Sequence, residues 1–233
     1  MNTYTQLLTS VDGRSIPVYV AEPDAALRGA IVVVQEIFGV NSHIRAVTEG
    51  FAKDGYLAIA PHTFERVESG VELGYESEDR DRGIALKAAV EALPFPGVMQ
   101  DLQATVDWVS NRATGSRVGV VGYCWGGLLA WRAACMLSGL SAAVPYYGGG
   151  MTKTQEIERQ PLVPVLAHFA QHDASIPLDE VEHFRQAQSA NGVRVELYPA
   201  HHGFNCDQRS AYDAPSAALA RERTMAFFAE YLN

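Results

Sequence analysis

A cysteine set between two glycines is the group in this sequence that could most directly do covalent chemistry. Cys124 stands in residues 122–126, GYCWG, after a valine-rich apolar run and before an apolar stretch with helical spacing. A G-x-C-x-G turn between a strand and a helix is typical of a nucleophile elbow, with cysteine in the place of serine. The glycines leave room for the strained turn, and a helix N-terminus favours the thiolate. The segment therefore predicts that Cys124 is a nucleophile that forms a thioester; the alternative is a small buried side chain.

A cysteine nucleophile needs a histidine as general base, and the histidine needs a carboxylate that fixes its tautomer. Asp173 comes just past the apolar run of residues 163–169, and the site of an open sheet lies at the carboxyl ends of its strands. His202 follows the last apolar run and precedes Gly203, whose backbone can turn sharply towards the nucleophile. We therefore predict that Asp173 and His202 complete a catalytic triad. An ordinary turn aspartate and the neighbouring His201 are the alternatives.

The other thiols and histidines show no comparable pattern. Cys135 lies among apolar helix positions and is predicted to be core, and Cys206 is predicted to be a loop thiol. A metal site on residues 172–173 and 201–202 is disfavoured, because adjacent histidines on an extended segment point in opposite directions. The sequence contains no C-x-x-C pair. We expect neither a metal nor an organic cofactor.

These groups need elements that bring them together, and the hydrophobic pattern predicts such elements. Short apolar runs alternate with longer amphipathic stretches, which indicates βαβ units. We therefore predict an α/β fold, a mostly parallel sheet flanked by helices on both faces, in a single domain over residues 1–233. Strands are predicted at 16–20, 30–34, 56–60, 117–121, 142–147, 163–169 and 193–198, and helices at about 43–54, 78–93, 98–111, 126–137, 178–190 and 216–231.

Composition and charge narrow the class of protein. The chain is 48% hydrophobic and 19% charged, which fits a folded protein with a sizeable core. Its formal net charge of −9 argues against nucleic-acid binding and against docking on anionic lipid, but allows an acidic substrate. Three cysteines without a secretory signal pattern, and no apolar run long enough to span a bilayer, predict a cytoplasmic protein. We expect a small-molecule substrate and a monomer by default.

Four segments together resemble the dienelactone hydrolase (carboxymethylenebutenolidase) family. They are QEIFGVN at 35–41, GYCWGG at 122–127, HD at 172–173 with IP at 176–177, and HGF at 202–204, and the similarity covers nearly the whole chain. The resemblance implies an α/β-hydrolase fold and a hydrolase that cleaves an ester or lactone with the triad described above. It adds Glu36, which in the family lies beside the thiol and accepts its proton when substrate binds.

A carboxylate beside the nucleophile has a physical rationale as well. Glu36 would disfavour the thiolate of Cys124 by like-charge repulsion, so that the resting thiol stays neutral until substrate removes that repulsion. A solvent-exposed glutamate at a strand end is the alternative. The oxyanion of the acyl intermediate would rest on the backbone N–H groups of Ile37 and Trp125.

Substrate recognition is where the chain departs from the family. Members that act on dienelactone bind the substrate carboxylate with two arginines, and the resemblance points to Arg82 for one of them, with Arg80 as the alternative. Cys206 stands where the family has the second arginine, and a neutral thiol cannot replace bidentate binding. We expect Arg209 to compensate from a different angle. The departure leaves the natural substrate open.

Two other functions fit the same fold. A carboxylesterase or thioesterase with a larger acyl pocket would line it with aromatic side chains, and the candidates are Phe38, Trp125, Tyr146 and Tyr147. Among these, Phe38 and Tyr147 are predicted to contact substrate. A catalytically silent scaffold that binds a ligand or partner would be expected to lack part of the triad.

Overall fold

Eight strands pair in one sheet in the computed structural model, which describes residues 1–232. They are β1 (Asn2–Thr9), β2 (Ser15–Glu22), β3 (Gly29–Val34), β4 (Tyr56–Pro61), β5 (Val118–Tyr123), β6 (Leu140–Tyr146), β7 (Leu166–Ala170) and β8 (Arg194–Tyr198). Their order across the sheet is β1-β2-β4-β3-β5-β6-β7-β8. The pairs from β4 to β8 are parallel, whereas β1 with β2 and β2 with β4 are antiparallel. Asn233, the last residue of the predicted domain, lies outside the described residues.

Helices cover both faces of this sheet. They are α1 (Ser42–Lys53), α2 (Ser77–Glu91), α3 (Val98–Arg112), α4 (Trp125–Met136), α5 (Thr154–Ile157), α6 (Leu178–Gln188) and α7 (Ala214–Leu232). On one face α1 and α7 meet, where the rings of Phe51 and Phe228 pack edge to face at 6.1 Å. On the other face α3 and α4 contact each other over the central strands. The α/β fold therefore has the layers that the sequence predicts.

The central strands β3, β4 and β5 are buried along their whole length. Strands covered by helices on both faces have no solvent side, which explains why their sequences are continuous apolar runs rather than alternating ones. All the predicted strands and helices are present. Two elements were not predicted: β1 is an edge strand in which only Leu8 is buried, and α5 is four residues long. In residues 1–232 no helix is both long and apolar enough to cross a bilayer.

Four parallel strands deliver the candidate residues to one edge of the sheet. Glu36 follows β3, Cys124 follows β5, Asp173 follows β7 and His202 follows β8. Because parallel strands end on the same side, these side chains come from distant parts of the sequence to a single crevice.

Candidate active site

Cys124, the candidate nucleophile, has a positive φ angle in the tight turn between β5 and α4. Cys124 has φ +56° and ψ −118°, and it is the N-cap of α4. A Cβ built on Gly122 would lie 1.9 Å from the carbonyl oxygen of Gly126, and one on Gly126 would lie 2.3 Å from that of Gln35. Positive φ in a residue with a side chain is strained and is found where the surrounding structure enforces it. The two glycines therefore make the turn possible, as expected of a nucleophile elbow.

Cys124 opens onto a cavity of about 310 Å³. The lining residues that bear on chemistry are Ile37, Phe38, Arg80, Trp125, His202 and Arg209. A larger cleft of about 650 Å³ lies beside Pro161 and Tyr231, but no cysteine, histidine or carboxylate is among the described residues that line it. Of these two cavities, the smaller one is lined by a cysteine and a histidine.

His202 and Asp173 form a close pair in this cavity. Nδ1 of His202 lies 2.6 Å from Oδ2 of Asp173. The other oxygen of Asp173 accepts hydrogen bonds from the backbone N–H groups of Ser175 at 2.8 Å and Ile176 at 3.2 Å. A carboxylate whose other oxygen is fixed by two backbone donors accepts the Nδ1 proton in a fixed direction, and so it orients the imidazole.

The protonation of His202 is coupled to the nucleophile. Burial alone disfavours the imidazolium and lowers the pKa of His202, but negative charge on Cys124 and the hydrogen bond to Asp173 outweigh it and raise the pKa to about 10. His202 therefore pairs with Asp173 and lines the same cavity as Cys124. The alternative base, His201, is exposed, and its Nδ1 lies 3.0 Å from the carbonyl oxygen of His172.

Glu36 is completely buried and held on both oxygens. Nη1 of Arg209 lies 3.3 Å from Oε1, and the hydroxyl of Tyr75 donates to Oε2 at 3.4 Å. The guanidinium of Arg209 also lies over the rings of Phe38 and Tyr75, at 5.6 and 5.9 Å from their centroids. The glutamate is thus a paired charge rather than the solvent-exposed strand end of the alternative. Tyr75, in the loop before α2, was not predicted, and its position carries no sequence signal.

The two arginines on α2 point to different places. Arg80 lines the cavity, whereas Arg82 lies outside it and makes an ion pair with Glu68. Residues two apart on an α-helix are separated by about 200° around its axis, so they cannot share a face. The structure therefore corrects the expectation of Arg82 in favour of Arg80.

The predicted oxyanion donors are the backbone N–H groups of Ile37 and Trp125. Trp125 is the first residue of α4, so its backbone N–H has no partner within the helix. No group in residues 1–232 accepts a hydrogen bond from the backbone N–H of Ile37. The indole of Trp125 is fixed, since Nε1 donates to Glu91 at 3.1 Å and the ring stacks on Phe64 at 5.2 Å. A rigid side chain keeps the neighbouring N–H in place.

The predicted aromatic set divides in two. Phe38 and Trp125 line the cavity. Tyr146 is core, where its hydroxyl meets that of Thr224 at 2.6 Å. Tyr147 is fully buried, with its ring 5.1 Å from that of His202, and no residue of 1–232 lies within hydrogen-bond distance of its hydroxyl. The expectation that Tyr147 lines the pocket is therefore corrected: it packs beneath the base.

The two remaining cysteines are both kept from ionising. Burial raises the pKa of Cys135 to about 12. Burial and the charge of Glu36 raise the pKa of Cys206 to about 11. Cys206 is completely buried rather than a loop thiol at the surface, because the loop after β8 folds inward over Glu36.

Comparison with known proteins identifies the family of this chain. The profile of the dienelactone hydrolase family matches residues 16–232. A carboxymethylenebutenolidase of Pseudomonas putida is 33% identical, over 95% of this chain and 94% of its own. A candidate carboxymethylenebutenolidase of Synechocystis is 36% identical, over 90% of this chain and 89% of its own. The crystal structure of a candidate dienelactone hydrolase from Klebsiella pneumoniae superposes with a TM-score of 0.82 at 32% identity, covering 99% of this chain and all of that one. The chain belongs to the dienelactone hydrolase family, a family of hydrolases with the α/β-hydrolase fold.

Proposed function

We propose that this protein hydrolyses a carboxylic ester or lactone, with Cys124 as nucleophile, His202 as general base and Asp173 as the residue that orients His202. The observation that carries the proposal is the convergence on one cavity of a strained elbow cysteine and a histidine bonded to a buried carboxylate. A silent scaffold would be expected to have lost part of this arrangement.

The reaction has two halves. The Cys124 sulfur attacks the carbonyl carbon, and the oxyanion that forms rests on the backbone N–H groups of Ile37 and Trp125. The thiol proton of Cys124 passes to Glu36 in this step. Collapse of the intermediate breaks the carbon–oxygen bond, and the alkoxide leaves with the proton that the imidazolium of His202 holds, giving a thioester. The neutral His202 then takes a proton from water, whose oxygen attacks the thioester; the acid is released, and the proton on Glu36 returns to the sulfur.

The proposed role of Glu36 is to control when the thiol of Cys124 loses its proton. We assign it the role of keeping the thiol of Cys124 neutral and of receiving its proton when substrate arrives. Support comes from its burial and from Arg209, which holds Oε1 and also lines the cavity. A substrate carboxylate at Arg209 would compete for the same guanidinium and so release Glu36. The nucleophile would then be generated only when an anionic substrate is bound.

The substrate class follows from the charges at the cavity. Arg80 and Arg209 both line it, beside the apolar side chains of Phe38 and Ile84. We therefore propose a small ester or lactone that bears a carboxylate. A neutral ester would leave the Arg209–Glu36 pair undisturbed, so turnover of anionic lactones should exceed that of neutral aryl esters of the same size.

Replacement of the nucleophile tests the proposal. Cys124→Ala should lose turnover of both substrates by at least about a thousandfold, since no other group can form the thioester. Mass spectrometry of the wild type with a slow ester should show an acyl adduct on Cys124. Cys135→Ala, which removes a thiol outside the cavity, is the matched control and should keep full activity. Unchanged turnover in Cys124→Ala, with a thermal unfolding midpoint like that of the wild type, would exclude cysteine catalysis.

A further inference from the structure

Three buried side chains with metal-ligating atoms converge next to the proposed catalytic residues. They are Glu36 after β3, His43 in the first turn of α1 and Cys206 in the loop after β8. A carboxylate oxygen, an imidazole nitrogen and the sulfur all lie within 4.8 Å of one another. Glu36 and Cys206 are fully buried, and His43 is 2% exposed. The set combines the three ligand types that proteins use for zinc.

His43 has a buried nitrogen without a hydrogen-bond partner. Its Nδ1 lies 3.3 Å from Oδ1 of Asp207, whereas Nε2 is buried and no atom of residues 1–232 pairs with it. Buried polar atoms are nearly always paired, and leaving one unpaired costs about 1–3 kcal/mol. The Asp207 side chain is mostly exposed, so Nδ1 faces the surface and Nε2 the interior. A carboxylate that fixes the far nitrogen is also what orients a metal-binding histidine.

We propose that Glu36, His43 and Cys206 bind a borderline-soft divalent cation, with Zn²⁺ as the ion that fits best. Thiolate and imidazole ligands favour Zn²⁺ over Mg²⁺ and Ca²⁺, which prefer oxygen. Tetrahedral coordination would place the ligand atoms about 3.3–3.6 Å apart. The three side chains would therefore close by about 1 Å around the ion, with one coordination position left for water.

The charges are compatible with a divalent ion. Glu36 and the thiolate of Cys206 supply two negative charges, and the thiol proton leaves to solvent as the ion binds. Arg209 holds only Oε1 of Glu36, and Tyr75 donates to Oε2, so one oxygen can turn to the ion while the other keeps its partner.

Binding of a divalent ion at this site would also affect the proposed hydrolysis. An ion that engages Glu36 removes the carboxylate that is assigned to receive the Cys124 proton, so the loaded protein should lose ester turnover. This consequence rests on the proposed function, whereas binding of the ion does not.

Binding is tested on the purified full chain after removal of metals with a chelator. Zn²⁺ is titrated in competition with a chromophoric chelator, and Co²⁺ is used separately as a spectroscopic probe of thiolate ligation. We expect one ion per chain and a thiolate-to-cobalt absorption band. Cys206→Ser and His43→Gln should each weaken Zn²⁺ binding by about 100-fold or more, and Asp207→Asn by about tenfold. Cys135→Ser and Cys124→Ala should bind as the wild type does.

Two results would overturn the site. One is no stoichiometric binding of Zn²⁺ by the folded wild type. The other is binding that survives Cys206→Ser and His43→Gln but is lost in Cys124→Ala, which would place the ion on Cys124 and His202. Thermal unfolding of each variant shows whether it is folded, and the two ligand variants check each other. Zn²⁺ that binds as expected but leaves turnover unchanged would support the site and contradict the assigned role of Glu36.

Discussion

Two regions around one cavity are built in different ways. The first, the strand-end triad, is the proposed catalytic set of Cys124, Asp173 and His202, which follow three strands of one parallel sheet. The second, the arginine rim, consists of Arg80 and Arg209, which reach the cavity from α2 and from the loop after β8; Arg82, on the same helix as Arg80, lies outside the cavity. The backbone positions the triad, whereas the side chains of the rim are long and their direction depends on which carboxylate each one meets.

The difference shows in what fixes each group. Asp173 is held by two backbone N–H groups and in turn holds His202, so its position follows from the chain path. Arg82 is held by Glu68 at the surface and Arg209 by buried Glu36. The cost of a substitution should therefore be large at the strand ends and small at Arg80, whose side chain is largely exposed.

The largest expected effect is a loss of folding stability at Gly126, where a Cβ atom would overlap with neighbouring backbone atoms. A methyl group on Gly126 would lie 2.3 Å from the carbonyl oxygen of Gln35 and 2.4 Å from that of Val34, so Gly126→Ala should destabilise the fold by about 3 kcal/mol or more. Urea unfolding measures this. Gly50→Ala is the control with the opposite sign: it lies in α1 with only Arg221 at 3.9 Å, and should stabilise by about 0.5–1 kcal/mol. Equal stability of Gly126→Ala and the wild type would remove the steric basis of the elbow.

The next effect is on the chemistry of the triad. Asp173→Asn keeps the shape but replaces an acceptor with an amide that can donate to His202, which favours the wrong tautomer. We expect kcat for an ester to fall by about 10³–10⁴ with little change in KM. Asp179→Asn, on the exposed first turn of α6, is the matched control and should leave kcat unchanged. A fall in kcat of less than tenfold would mean that Asp173 does not orient the base.

The raised pKa of His202 predicts how stability depends on pH. Its pKa is about 10 in the folded chain, against 6.5 for an unperturbed histidine, so the folded state binds the extra proton between these values. The stabilisation is therefore complete below pH 6.5 and is lost as the pH rises towards 10. Unfolding free energies from urea titrations at pH 6.5 to 9.5 should fall more steeply for the wild type than for Cys124→Ala, which removes the charge that raises this pKa most, or for Asp173→Asn. Parallel curves for all three proteins would show that neither group raises this pKa.

The same division explains which parts of the molecule the sequence predicts. Cys124, Asp173 and His202 are placed by a turn motif and by strand ends, and both are local features of sequence. The choice between Arg80 and Arg82 depends on the rotation of α2 about its axis, which its sequence pattern leaves undefined because the helix is polar around most of its surface.

Groups that meet only through tertiary packing are not readable from local patterns. Tyr75 lies in a loop without periodicity, yet it contacts Glu36. His43 and Cys206 lie on a helix and in a loop that are distant in sequence, and they converge on the same carboxylate. Ligands as scattered as those of the proposed metal site form no spacing motif, so a sequence pattern cannot indicate such a site.

The smallest expected effect is a change in KM when Arg80 of the arginine rim is replaced. Arg80→Gln removes a cavity charge that is partly exposed, so its ion pair with a substrate carboxylate should be worth little more than a surface pair. We expect KM for an anionic lactone to rise about fivefold, with KM for a neutral aryl ester unchanged. Arg82→Gln is the matched control from the same helix, and both values should stay within twofold of the wild type, because that side chain meets Glu68 instead. A larger effect of Arg82→Gln on the anionic substrate would reverse the two assignments. It would also mean that the rim rearranges around substrate, while the strand-end triad keeps the positions that the sheet imposes.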